Sequence, residues 1–126
     1  GKPFFLGKKV LISDYQGQPS LKGKEYLVLN FDNEDIRKIK EKNLTKTLTF
    51  GFQEGADFRA SDVKINGGIN FKINYKGNIV PIWLTSREEE QIYAALAAAA
   101  VGDVFGLNLV EISEALKKSS SMVKWN

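Results

Sequence analysis

The chain has 126 residues, 43% hydrophobic and 26% charged, with a formal net charge of +3. That fits one globular domain with its own core and is short for a multidomain enzyme. Cysteine and histidine are both absent, which excludes disulfides, thiolate metal sites and Ser-His-Asp or Cys-His catalysis.

In chain order, residues 8–15 (KKVLISDY) read as a strand, because Val10, Leu11 and Ile12 form a short continuous apolar run. Residues 16–24 are a loop by their Gly and Pro content. Residues 25–31 (EYLVLNF) are a second strand, apolar on both faces and therefore central in a sheet. Residues 32–43 follow as a helix. Asp32 or Asn33 can cap it, Glu34 and Asp35 suit its first turn, and Ile36 and Ile39 form its buried stripe.

Four further strands are expected at 44–52, 58–66, 69–76 and 78–84. Gln53 to Asp57 is a polar turn, and Gly67-Gly68 and Lys76-Gly77-Asn78 are hairpin separators. Phe71, Ile73 and Tyr75 share one face; Asn70, Lys72 and Asn74 share the other, which is wet. Pro81 marks the last strand as an edge, or as interrupted.

Two helices close the chain. Ser86 and Glu89 have capping-box spacing for an alanine-rich helix, with Gly106 as its stop. Asn108 and Glu111 cap the last helix, whose buried face holds Leu109, Ile112 and Leu116. The expected domain is 1–118, with 119–126 an exit linker or tail. The order β-β-α-β-β-β-β-α-α gives an α/β class with an α+β-like character. Its sheet is mixed, parallel strands plus antiparallel hairpins, with helices packed on it.

The four alanines Ala97 to Ala100 invite a membrane reading, but the apolar run stops at Gly102 and Asp103, and a spanning helix needs about 20 apolar residues. Alanine forms helices readily and lets a helix axis approach a sheet closely. The segment GKPFFLGKKV lacks a long apolar secretory run, so a cytoplasmic setting is expected.

Two places could bind a ligand. One is LNFDNED, where Asn30 and Asp32 follow a buried strand; open α/β sheets bind ligands beyond the carboxyl ends of their strands. The plain alternative is helix capping by Asp32 and Asn33. The other is the amino end of the alanine-rich helix, whose free N–H groups suit an anion, or which is simply a capped end. LGKKV is far from a phosphate-binding loop. Tyr75, Trp83 and Phe71 read as strand core ahead of a base-stacking surface. Glu54, Asp57 and Asp62 match no metal-loop spacing. No catalytic residue and no metal ligand are assigned.

From residue 26 to about 118, an ordered set of pieces resembles the later half of the central, ATPase domain of the Mur ligases. The pieces are LNFDNE, LTFGFQEGADFRASDV, GINFKI and EQIYAALAAAAVGDVFGLNLVEISEAL. Within that family the resemblance is greatest to the enzyme adding D-alanyl-D-alanine, with the enzyme adding the third residue closely similar. It implies a piece of an ATP-dependent amide ligase of peptidoglycan precursor synthesis. ATP and Mg2+ would serve the parent enzyme, and a UDP-linked muramoyl peptide would be its substrate.

The resemblance also implies cofactor-binding roles for Asn30, Asp32 and Gln91. The adenine-facing H-N-x-x-N pattern aligns with Glu90, Gln91 and Ala94, so only the first amide is kept. The phosphate-binding loop and the carbamylated lysine belong to the earlier half of that domain and are not in this sequence. The missing halves of the parent are therefore implied partners; nucleic acid and membrane are not. The alternatives are a non-catalytic binding module on the same scaffold and, from the pI of 9.1, a weak nucleic-acid binder.

Overall fold

In the computed structural model, residues 10–13, 26–35, 38 and 46–122 are described. Six strands form one sheet in sequence order. They are β1 (Val10–Ser13), β2 (Tyr26–Asn30), β3 (Lys46–Gly51), β4 (Phe58–Ile65), β5 (Ile69–Tyr75) and β6 (Asn78–Leu84). Two helices follow, α1 (Glu90–Val104) and α2 (Leu109–Met122). Residues 34, 35 and 38 are helical; the rest of the helix expected at 32–43, and the loop at 16–24, lie outside the described residues.

The first three pairings are parallel and the last two antiparallel. Leu27, Val28 and Leu29 are fully buried, as a central parallel strand requires. The β3–β4 pair is unusual, since parallel neighbours normally need a long crossover. Here Phe50 pairs with Phe58 and Gly51 with Arg59, and the parallel overlap ends there. Residues 52–57 therefore need not carry the chain back along β3. The strands β4 to β6 instead run on past the carboxyl end of β3.

The meander β4–β5–β6 has the alternation read from its sequence. Ile69, Phe71 and Ile73 are buried while Asn70 and Lys72 are exposed. The Lys76-Gly77 loop has positive φ at both residues, the twist that joins antiparallel strands in two residues. β6 is an edge strand, as Pro81 signals, and α2 lies along it. The Ser113 hydroxyl donates to the Pro81 carbonyl at 3.0 Å.

The alanine-rich helix α1 crosses β2, β3 and β4. Ala95, Ala99 and Ala100 are buried against the sheet, together with Ile92 and Leu96. Small side chains at these positions let the helix axis approach the sheet closely.

Two terminal signals have different outcomes. The Asn108–Glu111 box forms in both directions: Glu111 N–H donates to Asn108 Oδ1 at 2.8 Å and Asn108 N–H to Glu111 Oε1 at 3.0 Å. The Ser86–Glu89 box does not form. Ser86 Oγ accepts the Glu88 N–H at 3.0 Å, a local turn two residues wide that competes with capping. The Gln91 and Ile92 N–H groups then bond Glu88 and Glu89 carbonyls at 2.9 Å. This tighter first turn satisfies donors that the cap would have taken.

At its other end α1 stops at Gly106, φ +88. There Gly106 and Leu107 N–H groups bond back to Asp103 and Gly102. Helix α2 continues through Met122, into the stretch expected as a linker, because a well-capped start lets the helix propagate through weak formers such as serine. Among the described residues, no helix is long and apolar enough to cross a membrane.

Candidate functional site

The carboxyl ends of β2 and β3 and the amino end of α1 meet at one rim. The meeting is built on Asp32. Asn30 Oδ1 accepts the Asp32 N–H at 2.9 Å, closing a turn that swings the aspartate off the end of β2. The helical segment is capped instead by Asn33, whose Oδ1 accepts the Asp35 N–H at 2.9 Å. Asp32 is thereby released to point at β3 and α1.

Its carboxylate collects three donors. Phe52 N–H reaches Oδ1 at 3.0 Å and Oδ2 at 2.9 Å, and Gln53 N–H reaches Oδ1 at 3.0 Å. The Tyr93 hydroxyl donates to Oδ2 at 2.7 Å. A carboxylate offers about four acceptor directions, and these three donors make two short contacts at each oxygen. Gly51 makes the approach possible. Its φ is +155, and a Cβ there would lie 2.4 Å from Asp32 Oδ1.

Tyr93 is also held by its ring. It meets Phe52 edge-on with centroids 5.2 Å apart and Phe50 at 6.5 Å. Burial pushes the Tyr93 hydroxyl pKa above its ordinary value, and the bond to the Asp32 carboxylate pushes it the same way.

Of the sequence-derived candidates, Asn30 and Asp32 are thus brought together directly. Gln91 lies two residues before Tyr93, in the first turn of the same helix, half-buried. The side-chain amide of Gln91 and the NH2 of Asn30 have no partner among the described residues. Tyr93 and Phe52 were not singled out from the sequence; the signal was an aromatic hydroxyl two residues after Gln91 in a helix otherwise paved with alanine.

Asp57, Asp62, Phe71 and Tyr75 have structural roles. Asp57 accepts both the N–H and the hydroxyl of buried Thr49, at 2.8 and 3.1 Å, and its own N–H returns to Thr49 Oγ1 at 3.0 Å. Asp62 pairs with Lys72 at 3.1 Å on the exposed face. Phe71 is core. Tyr75 stacks on Phe58 at 3.9 Å, and its hydroxyl donates to Asp103 at 3.0 Å. Among the described residues no cluster of three or more acidic side chains is placed to hold a metal.

No family model matches the chain. Individual proteins do. A UDP-N-acetylmuramate–L-alanine ligase of Sulfurihydrogenibium is 34% identical over 90 residues, 71% of this chain and 19% of the relative. A UDP-N-acetylmuramoyl-L-alanyl-D-glutamate–2,6-diaminopimelate ligase of Caldanaerobacter subterraneus is 31% identical over 94 residues, covering 74% of this chain and 20% of that enzyme. The chain is a homologue of the Mur ligases. It spans about one fifth of the length of the curated relatives it matches.

Solved Mur ligases share the fold. MurF from Acinetobacter baumannii superposes with a TM-score of 0.68 at 19% identity, over 78% of this chain and 22% of that one. MurF from Thermotoga maritima, solved in complex with ADP, gives 0.58 at 21% identity, over 71% and 22%.

Proposed function

We propose that this chain forms part of the nucleotide pocket of a Mur-type amide ligase, with Asn30, Asp32 and Gln91 at the pocket's base-facing rim. The observation that carries the reading is the meeting of β2, β3 and α1 at Asp32, the end of β2 bearing Asn30 and the first turn of α1 bearing Gln91. The Gln91 amide can offer a donor and an acceptor side by side, the pattern that an adenine edge presents in complement, and the Asn30 NH2 can add a donor. The homology to ATP-dependent ligases and the ADP complex among the fold neighbours support the same ligand.

In the parent enzyme, ATP would transfer its γ-phosphoryl group to a substrate carboxylate, leaving ADP. The incoming amine would then attack the acyl carbon and expel inorganic phosphate. This chain's residues would bind and orient the base. Mg2+, the phosphates and the UDP-linked muramoyl peptide would be held by the remaining parts of the parent, in the cytoplasm. For the acceptor, our reading is D-alanyl-D-alanine, from the sequence pieces set out above; the two named curated relatives add L-alanine and 2,6-diaminopimelate. Acceptor specificity of the parent enzyme tests that choice.

A non-catalytic binding module is the second reading. It is favoured by the replacements at Glu90 and Ala94, which remove the His and the second Asn of the adenine-facing pattern. Titration with ATP, followed by Trp83 and Trp125 fluorescence, separates the two. Saturable binding in the millimolar range or tighter supports the nucleotide pocket; no binding supports the module. The isolated chain should not turn ATP over, and robust magnesium-dependent turnover would defeat the first reading.

A further inference from the structure

We infer that Asp32 and Tyr93 are a positioning pair, which fixes the amino end of α1, and with it Gln91, against Asn30 without touching the ligand. The inference builds on the proposed nucleotide rim but reassigns Asp32 within it, from a ligand-facing group to one that acts through others.

Saturation is the first ground. Three donors, Phe52, Gln53 and Tyr93, make four short contacts with Asp32, two at each carboxylate oxygen. A ligand donor would have to displace one of them, and a displaced Phe52 N–H or Tyr93 hydroxyl would lose its partner in a half-buried site.

Reach is the second. The four contacts join three separate segments: the β2 terminus, the loop after β3 and the first turn of α1. The first turn has no side-chain cap of its own. Its lateral tie to the strand ends runs through Tyr93, one turn of helix from Glu90.

Selectivity of place is the third. The far end of α1 carries a chemically similar tie, the Tyr75 hydroxyl on Asp103 at 3.0 Å. Both are tyrosine–aspartate bonds on one helix, but only one borders the rim. That pair supplies its own control.

The experiment compares Tyr93→Phe with Tyr75→Phe in the 126-residue chain. Each removes one hydroxyl and keeps its ring packing. Amide hydrogen exchange is read at Gln91 and Ile92, and at Phe52 and Gln53, the donors to Asp32. Tyr93→Phe should raise exchange at these four amides while Tyr75→Phe leaves them unchanged. Equal effects, or none from Tyr93→Phe, would overturn the inference whether or not nucleotide binds.

Titration with magnesium ATP is the second readout, made where circular dichroism shows both variants folded. Tyr93→Phe should weaken binding by about tenfold, the consequence of losing one bond to a charged group, and Tyr75→Phe by less than about twofold. Unchanged affinity in Tyr93→Phe contradicts the positioning role. Absence of binding by the unaltered chain instead defeats the nucleotide reading, and the exchange data then decide the positioning pair alone.

Discussion

The hydroxyl of Tyr93 donates to Oδ2 of Asp32 at 2.7 Å, across 61 positions of sequence. This bond ties the alanine-rich helix to the strand that ends in the candidate site. It also gives the fold a response to alkaline pH. The folded pKa of Tyr93 is raised above its ordinary value of 10.0, first by burial and then by the bond to Asp32. As pH rises past about 10, the unfolded chain loses this proton and the folded chain keeps it. The folded state then binds more protons, so stability falls with rising pH. The contribution is fully present below about pH 10 and is lost as pH climbs toward the folded pKa. Tyr75, also raised, adds a loss of the same sign. Urea unfolding between about pH 8 and 11 should show this decline, and Tyr93→Phe should flatten it.

Gly51 should be intolerant of any side chain. A Cβ would stand 2.4 Å from Asp32 Oδ1, and φ is +155. Gly51→Ala should cost about 2 kcal/mol or more, from backbone strain together with the displaced carboxylate. Chemical denaturation measures the loss. A cost within about 0.5 kcal/mol, the range of an ordinary surface change, would show that Asp32 is free to move away.

The alanines make a position-by-position prediction. Ala99 is fully buried under α1, whereas Ala98, one residue away, is exposed. Ala99→Leu should destabilise by about 1–3 kcal/mol through overpacking, and Ala98→Leu should stay within about 0.5 kcal/mol. Comparable costs at both positions would refute close packing as the reason for alanine at Ala99.

Much of this scaffold is legible in the sequence. Val28 and Leu29 in an unbroken apolar run announce a central strand. The Ile69–Tyr75 alternation announces one wet face, and Pro81 announces an edge. The Asn108–Glu111 spacing gives the start of α2. What local pattern does not carry is competition between partners far apart in the chain. Ser86 has the spacing of a cap, yet its hydroxyl goes to Glu88. Asp32 and Asn33 are equally plausible caps until the fold brings Phe52, Gln53 and Tyr93 to Asp32, leaving Asn33 to cap. Tyr93 itself looks like one more apolar position in the run Ile92 to Val101. Its hydroxyl acquires a role only through a residue 61 positions earlier.

Restoring the missing amide should strengthen the rim. Ala94 is exposed and lies on the turn of α1 that follows Gln91, and under the proposed function it stands where the resemblance puts the second amide. Ala94→Asn should tighten ATP binding by about fivefold to tenfold, the worth of one additional net hydrogen bond, with little change in thermal stability. Isothermal titration reads the affinity. Equal affinity would mean that the base does not lie along this face of the helix.

The most direct test of the nucleotide rim is a backbone and side-chain amide NMR titration of the chain with magnesium ATP. The account predicts saturable shifts gathered at Asn30, Phe52, Gln53 and Gln91, including the side-chain amides of Asn30 and Gln91. Shifts confined to the exposed face of β4–β6, or none through the millimolar range, would contradict it.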